Sequence, residues 1–254
     1  MTLLQYAADH TAHIRLATLV LDNDFRHPAV LAKEAATLDQ LSGGRLELGV
    51  GAGWLAEEYR RAGLQFQDGP TRVAQLEEAV HLLKALFSDT PTTFSGRFYH
   101  VDELDGRPKP VQRPHPPLMI GGTLPRLLRF AARHADIVGF DSGPPDPRSW
   151  TFDALRRQAE VVHEAAGART PELHLNPDIW GVGKPRRDIV DQAATRLGVD
   201  PDDVDRSPYI LAGSVHEIVE YLERLRETLG ISYVTIPSDQ MDEFAEVVDG
   251  LRGR

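Results

Sequence analysis

Cysteine is absent from all 254 residues. That excludes disulfides, thiolate metal ligands and a cysteine nucleophile, and it fits a reducing compartment. Basic residues are outnumbered, 28 against 38 acidic ones, for a net charge of −10. No basic cluster offsets the repulsion that phosphate would meet, which argues against nucleic acid as a partner. No apolar run is long enough to span a bilayer, and the N-terminus lacks the basic-then-apolar pattern of a signal peptide. The chain therefore reads as cytoplasmic, with no membrane partner. No His/Asp/Glu spacing suggests a metal site, and no G-x-S-x-G elbow suggests a hydrolase. Internal repeats, low-complexity tracts and dividing linkers are missing too. The remaining composition, 41% apolar and 26% charged, is that of a globular protein with one large core or two small ones.

What is present is an alternation of strands and helices. Ile14 to Leu21 is a near-continuous run of branched apolar residues, as expected of a strand covered on both faces. Pro28 suits the first position of a helix, whose apolar face is Leu31, Ala35 and Leu38 and which Gly43 and Gly44 stop. Leu46 to Val50 is a second buried strand, ending at Gly51-Ala52-Gly53. Further strands are expected at 117–120, 136–140, 173–182 (broken by Pro177) and 231–236. Helices are expected at 2–12, 70–87, 152–166, 186–197, after Pro125, after the Ser214/Glu217 capping box, and after Pro237. Residues 89–116 read as a loop excursion with a short hairpin at Thr92–Val101, and 199–213 read as loop. Strands followed by helices make an α/β class with a parallel sheet. A closed (β/α)8 barrel needs eight strands and roughly 250 residues. Only six strands can be counted, because the excursions at 89–116 and 185–213 consume length. The expectation is one partial TIM-barrel domain over 1–254.

Ligands of such folds lie at the carboxyl ends of the strands, which points to residues 21–27 and 51–54. Gly51-Ala52-Gly53-Trp54-Leu55-Ala56 matches the G-x-G-x-x-A form of a dinucleotide fingerprint. Asp68, the nearest acidic residue to the required spacing, lies in a loop rather than at a strand end. A tight turn leaving a barrel strand and a turn lining a cofactor both remain open. Gly121-Gly122-Thr123, between a strand and a helix, suits a phosphate through free backbone N–H groups, or is a plain cap by Thr123. His27 and Arg26 lie in the loop after the first strand. His27 is the one catalytic candidate, although a histidine beside a helix start more often caps or packs. Trp54, Phe140 and Trp180 near strand ends would wall a planar ring or belong to the core.

The segment IRLATLVLDNDFRHPAVLAKEAATLDQLSGGRLELGVGAGW resembles the luciferase-like monooxygenase superfamily, in particular its deazaflavin (coenzyme F420)-dependent oxidoreductases. FSGRFYHVD, PKPVQRPHPPLMIGGTLPRLLRFAARHADIVGF and AGSVHEIVEYLERLRETLGISYVTI agree with it in order. The resemblance implies a (β/α)8 barrel with the ring of F420, or of FMN in the monooxygenases, in its carboxyl mouth. It implies a bulge, often with a non-proline cis peptide, at Leu19–Val20 beneath the ring. It implies cofactor contacts from Gly51, Ala52, Gly53 and Trp54, and a phosphate turn at Gly121, Gly122 and Thr123, with Gly122 donating its N–H. Some sugar-phosphate members carry an acidic catalytic residue where Trp54 stands. The family's opening strand–helix–strand, with its Asp-His pair, has no counterpart in these residues. The chain is therefore expected to form an open barrel of six strands, short of its first two. The strands at 14–21 and 231–236 would each lack a neighbour, so that the chain aggregates or forms a homodimer. The function implied is hydride transfer between F420 and a small organic substrate. The alternatives are an FMN-dependent monooxygenase and a non-catalytic flavin-binding or inactive protein.

Overall fold

A computed structural model describes residues 1–141 and 149–253. Two compact units divide it: Met1–Gly121 with His134–Asp136, and Gly122–Arg133 with Ile137–Arg254.

The first unit opens with α1 (Thr2–His10), then β1 (Leu16–Ala17), β2 (Leu21–Asp22), α2 (Pro28–Leu41) and β3 (Leu46–Gly51). It continues with α3 (Ala56–Ala62), α4 (Gly69–Phe87), the strands β4 (Thr92–Ser95) and β5 (His100–Leu104), and β6 (Leu118–Gly121). β3 is its centre: β1, β2 and β6 all pair with β3 in parallel. Every residue of β3 is buried, as the two-sided cover of a parallel strand requires. α2 packs on β3 and α4 packs on α2, with Leu31, Ala35, Leu76, Val80 and Leu83 all buried. The expected hairpin in the first excursion is present as antiparallel β4 and β5. Asp39, wholly buried on α2, accepts from the N–H groups of Val111 and Gln112 (2.7 and 3.0 Å) and from the Gln112 amide (2.7 Å), which ties the rest of the excursion down.

The second unit carries α5 (Pro125–His134), β7 (Ile137–Asp141), α6 (Phe152–Ala166), β8 (Glu172–Asn176) and β9 (Ile179–Val182). α7 (Arg186–Leu197), α8 (Pro201–Asp205), β10 (Ile210–Gly213), α9 (Val215–Leu229), β11 (Ile231–Val234) and α10 (Met241–Leu251) follow. β8 pairs in parallel with β7 and β11, and β9 pairs in parallel with β10. The last pair shelters its own apolar cluster of Ile179, Ile189, Val190, Ala194, Val204 and Ile210. The capping box forms as expected, with Ser214 accepting from Glu217 N–H and Glu217 accepting from Ser214 N–H.

The fold class is the expected one, α/β with parallel strands of incomplete TIM-barrel type, and six strand positions match the six counted. β1 and β11 each have one strand neighbour among the described residues. No helix among the described residues is long and apolar enough to cross a membrane.

Four expectations are corrected. The run 14–21 is not one strand: the ladder stops at Ala17 and resumes at Leu21. The first helix ends at His10, two residues early, with Thr11 extended. Residues 173–182 are two strands, because Pro177 has no N–H for a ladder. Residues 199–213 are not plain loop. Asp200 accepts from Asp202 N–H (2.8 Å) ahead of Pro201, a start signal for α8, and four buried residues then form β10.

Candidate functional site

In the first unit the site is built on the gap between β1 and β2. The Leu19–Val20 peptide bond is cis, and it falls where the family resemblance puts an irregularity. Across the gap the Thr18 hydroxyl takes over from the backbone ladder. It donates to Gly49 O and accepts from Gly49 N–H, both at 2.8 Å. This draws the chain so close to β3 that a Cβ on Gly49 would sit 1.9 Å from Thr18 O. A Cβ on Gly51 would sit 2.7 Å from Val20 Cγ2. Both glycines are thus demanded by the neighbouring strand, and Gly51 acts within the fold before any ligand is considered.

The turn after β3 is held from below. Gly53 has φ +72, and a Cβ there would sit 1.9 Å from the Tyr59 hydroxyl. Tyr59, buried on α3, donates to Asp24 Oδ2 at 3.0 Å and is wedged edge-on between Phe25 and Phe66. Burial, then the Asp24 charge, pushes its phenol above the usual range. Arg72 of α4 donates to Ala52 O at 3.1 Å and to Gln67 O, its guanidinium 3.8 Å above the Phe66 ring. Asp22, paired with Gly51 in register, has its carboxyl raised by burial first, then by Glu58 and Asp24. Above this foundation Leu19 is 48% and Trp54 73% exposed. The carboxyl ends of β1 and β3 therefore present apolar side chains, Leu19 and Trp54, above a polar base.

His27 is the N-cap of α2. Its Nδ1 accepts from Ala29 N–H at 3.1 Å, and its ring meets Tyr99 edge-on. The Tyr99 hydroxyl in turn accepts from Asn23 (2.9 Å) and Gln75 (3.1 Å), and burial raises its phenol. Phe140 is wholly buried core, whereas Trp180 lies edge-on to Phe244.

In the second unit the turn at Gly122 and Thr123 leads into α5. Gly122 N–H does not stand free, as expected from the sequence, but donates to Gly139 O at 3.1 Å. A Cβ on Gly122 would sit 2.5 Å from Leu127 Cδ2, so packing against α5 requires this glycine. The amides of Thr123 and Leu124 have no hydrogen-bond partner among the described residues. With the α5 dipole behind them they suit an anion.

Thr18, Gly49, Tyr59 and Arg72 escape the sequence reading. Gly49 alone carries a signal there, since a glycine inside a buried strand marks a close backbone approach.

Comparison with known proteins shows the family. Residues 1–174 match the profile of the luciferase-like monooxygenases, and the chain belongs to that family. It is 36% identical over 183 residues to the FMNH(2)-dependent dimethylsulfone monooxygenase of Pseudomonas putida, covering 70% of this chain and 48% of that one. It is 34% identical over 180 residues to the F420-dependent glucose-6-phosphate dehydrogenase of Kineococcus radiotolerans, covering 69% and 52%. The chain thus spans about half the length of these relatives. The structure of the coenzyme F420-dependent tetrahydromethanopterin reductase of Methanopyrus kandleri superposes with a TM-score of 0.79 at 18% identity, over 99% of this chain and 87% of that one.

Proposed function

We propose that the protein is an F420-dependent oxidoreductase that moves a hydride between the deazaflavin and a small organic substrate. The observation that supports the reading is the Thr18–Gly49 bracket, which seats the Leu19–Val20 segment directly against Gly49 and Gly51 and leaves Leu19, Val20, Gly51, Ala52, Gly53 and Trp54 together as a ring-accepting surface at strand carboxyl ends. Gly121 and Gly122 turn the chain so that Thr123 and Leu124 offer their amides to a phosphate. The turn surface of the first unit suits a deazaflavin ring, and the amides of the second unit suit a phosphate, each judged within its own unit. When bound, the deazaflavin supplies the hydride chemistry, and the protein binds it, orients it and excludes water. Trp54 places an indole where some sugar-phosphate members of the family hold an acidic residue, which speaks against that chemistry here. His27, already occupied as a cap, is given no proton to move.

FMN-dependent oxygenation is the second reading, favoured by the identity to the dimethylsulfone monooxygenase. Equilibrium titration separates the two. F420 is expected to bind, and its reduced or oxidised absorbance to change with turnover. Tight binding of reduced FMN with oxygen consumption, and none of F420, would reverse the choice. Binding of neither would end both.

A further inference from the structure

In the second unit, strand alternation sorts the β7–β8–β11 side chains onto two faces. Leu173 faces the helices, since its Cδ1 lies 3.9 Å from where a Cβ of Gly230, the cap of α9, would stand. His174 therefore faces the other way, in one row with Gly139 and Tyr233. The next row toward the carboxyl ends holds Asp141 and Asn176 in register, and Thr235 beside them, its N–H donating to Leu175 O at 3.2 Å.

His174 is 1% exposed, edge-on to the Tyr233 ring, and its Nε2 is hydrogen-bonded to Thr235 Oγ1. Its Nδ1 is buried without a partner. A phenylalanine would fill the same space with no orphaned polar atom, so the imidazole calls for a reason beyond packing. A bare lone pair is easier to bury than an unpaired N–H, which puts the single ring proton on Nε2, donating to Thr235. The Thr235 hydroxyl then has its acceptor side engaged and its own O–H free to donate elsewhere. Both Thr235 and Asn176 are half-exposed, and the Asn176 carboxamide has no hydrogen-bond partner among the described residues.

We propose that Thr235 and Asn176 form a binding edge for a cyclic imide, the Thr235 O–H donating to a ligand carbonyl and the Asn176 carbonyl accepting the ligand N–H, with His174 as the positioning residue that fixes the Thr235 hydroxyl. The pyrimidinedione edge shared by flavins and deazaflavins is such an imide, so the inference rests on the reading that one of these cofactors binds.

The test is fluorescence titration of the full chain with FMN and with F420, with urea midpoints as a check on folding. Thr235→Val keeps the shape and removes the hydroxyl; it is expected to weaken the cofactor that binds by tenfold or more. Thr235→Ser should stay within about twofold of the natural protein. His174→Phe, which keeps the Thr235 hydroxyl but leaves it unfixed, should lose part of what Thr235→Val loses, and the double variant no more than Thr235→Val alone, because His174 acts only through that hydroxyl. His174→Gln, which keeps a donor near the Nε2 position, should recover part of the loss. Unchanged affinity in folded Thr235→Val would overturn the imide edge and leave the cofactor reading standing. Additive losses would overturn the positioning role of His174. Absence of binding by the natural protein would overturn both readings.

Discussion

Gly49→Ala is expected to unfold the first unit or leave it grossly destabilised, by more than about 4 kcal/mol. The new Cβ would lie 1.9 Å from the backbone oxygen of Thr18 and 2.9 Å from Val20 Cγ1. A flexible side-chain tip could move aside, but a backbone carbonyl held by a strand cannot, and shifting it breaks the paired 2.8 Å bonds between Thr18 and Gly49. Overpacking of an ordinary core costs about 1–3 kcal/mol, so the excess measures the bracket itself. Gly69→Ala is the control, since nothing lies within 4 Å of its Cβ. Urea unfolding followed by circular dichroism reads both. A Gly49→Ala protein within about 1 kcal/mol of the natural one would mean that the strand gap is not held as described.

The second large effect is acid lability from His174. Burial lowers its imidazole from 6.5 to about 4. The unfolded chain takes up a proton near pH 6.5 that the folded chain refuses until about pH 4. Stability contributed by the neutral ring is therefore present above pH 6.5, falls as pH drops toward 4, and changes no further below. At about 1.4 kcal/mol per unit, the full loss is on the order of 3 kcal/mol. His174→Gln removes the titration, so its unfolding free energy should fall less steeply than that of the natural protein between pH 6.5 and 4. Parallel curves would show that the ring is hydrated or titrates normally.

The periodic parts of the chain were readable because one residue type at a time decides them. Pro28 and Pro125 start helices, Gly167 and Gly230 end them, and Leu46 to Val50 can only be a covered strand. The glycine-rich turns were found for the same reason. Their detailed use was not, because it depends on partners remote in sequence. Gly122 answers to Leu127 and Gly139, Gly53 to Tyr59, and Gly49 to Thr18. The strand interruption at 18–20 is invisible in LATLVL, whose composition says continuous strand. His174 reads as one polar residue in an apolar strand; only the register against Tyr233 and the reach to Thr235 give it a role. α8 has no sequence signal of its own beyond its start, and Tyr209–Leu211 is too short to count as a strand from sequence; α8 and β10 cover each other and α7 rather than the main sheet, so neither needs a long apolar period.

The most direct measurement follows the Trp54 indole N–H in a ¹H–¹⁵N spectrum as F420 and FMN are added. Three indole signals are expected, from Trp54, Trp150 and Trp180, and Trp54→Phe identifies the first. Trp54 is 73% exposed at the end of the glycine turn, and Trp150 is buried. If the ring of the cofactor seats against Gly51–Trp54, the Trp54 signal shifts in proportion to occupancy while that of Trp150 barely moves. A Trp54 signal unmoved at saturating cofactor would contradict the placement of the site on this turn.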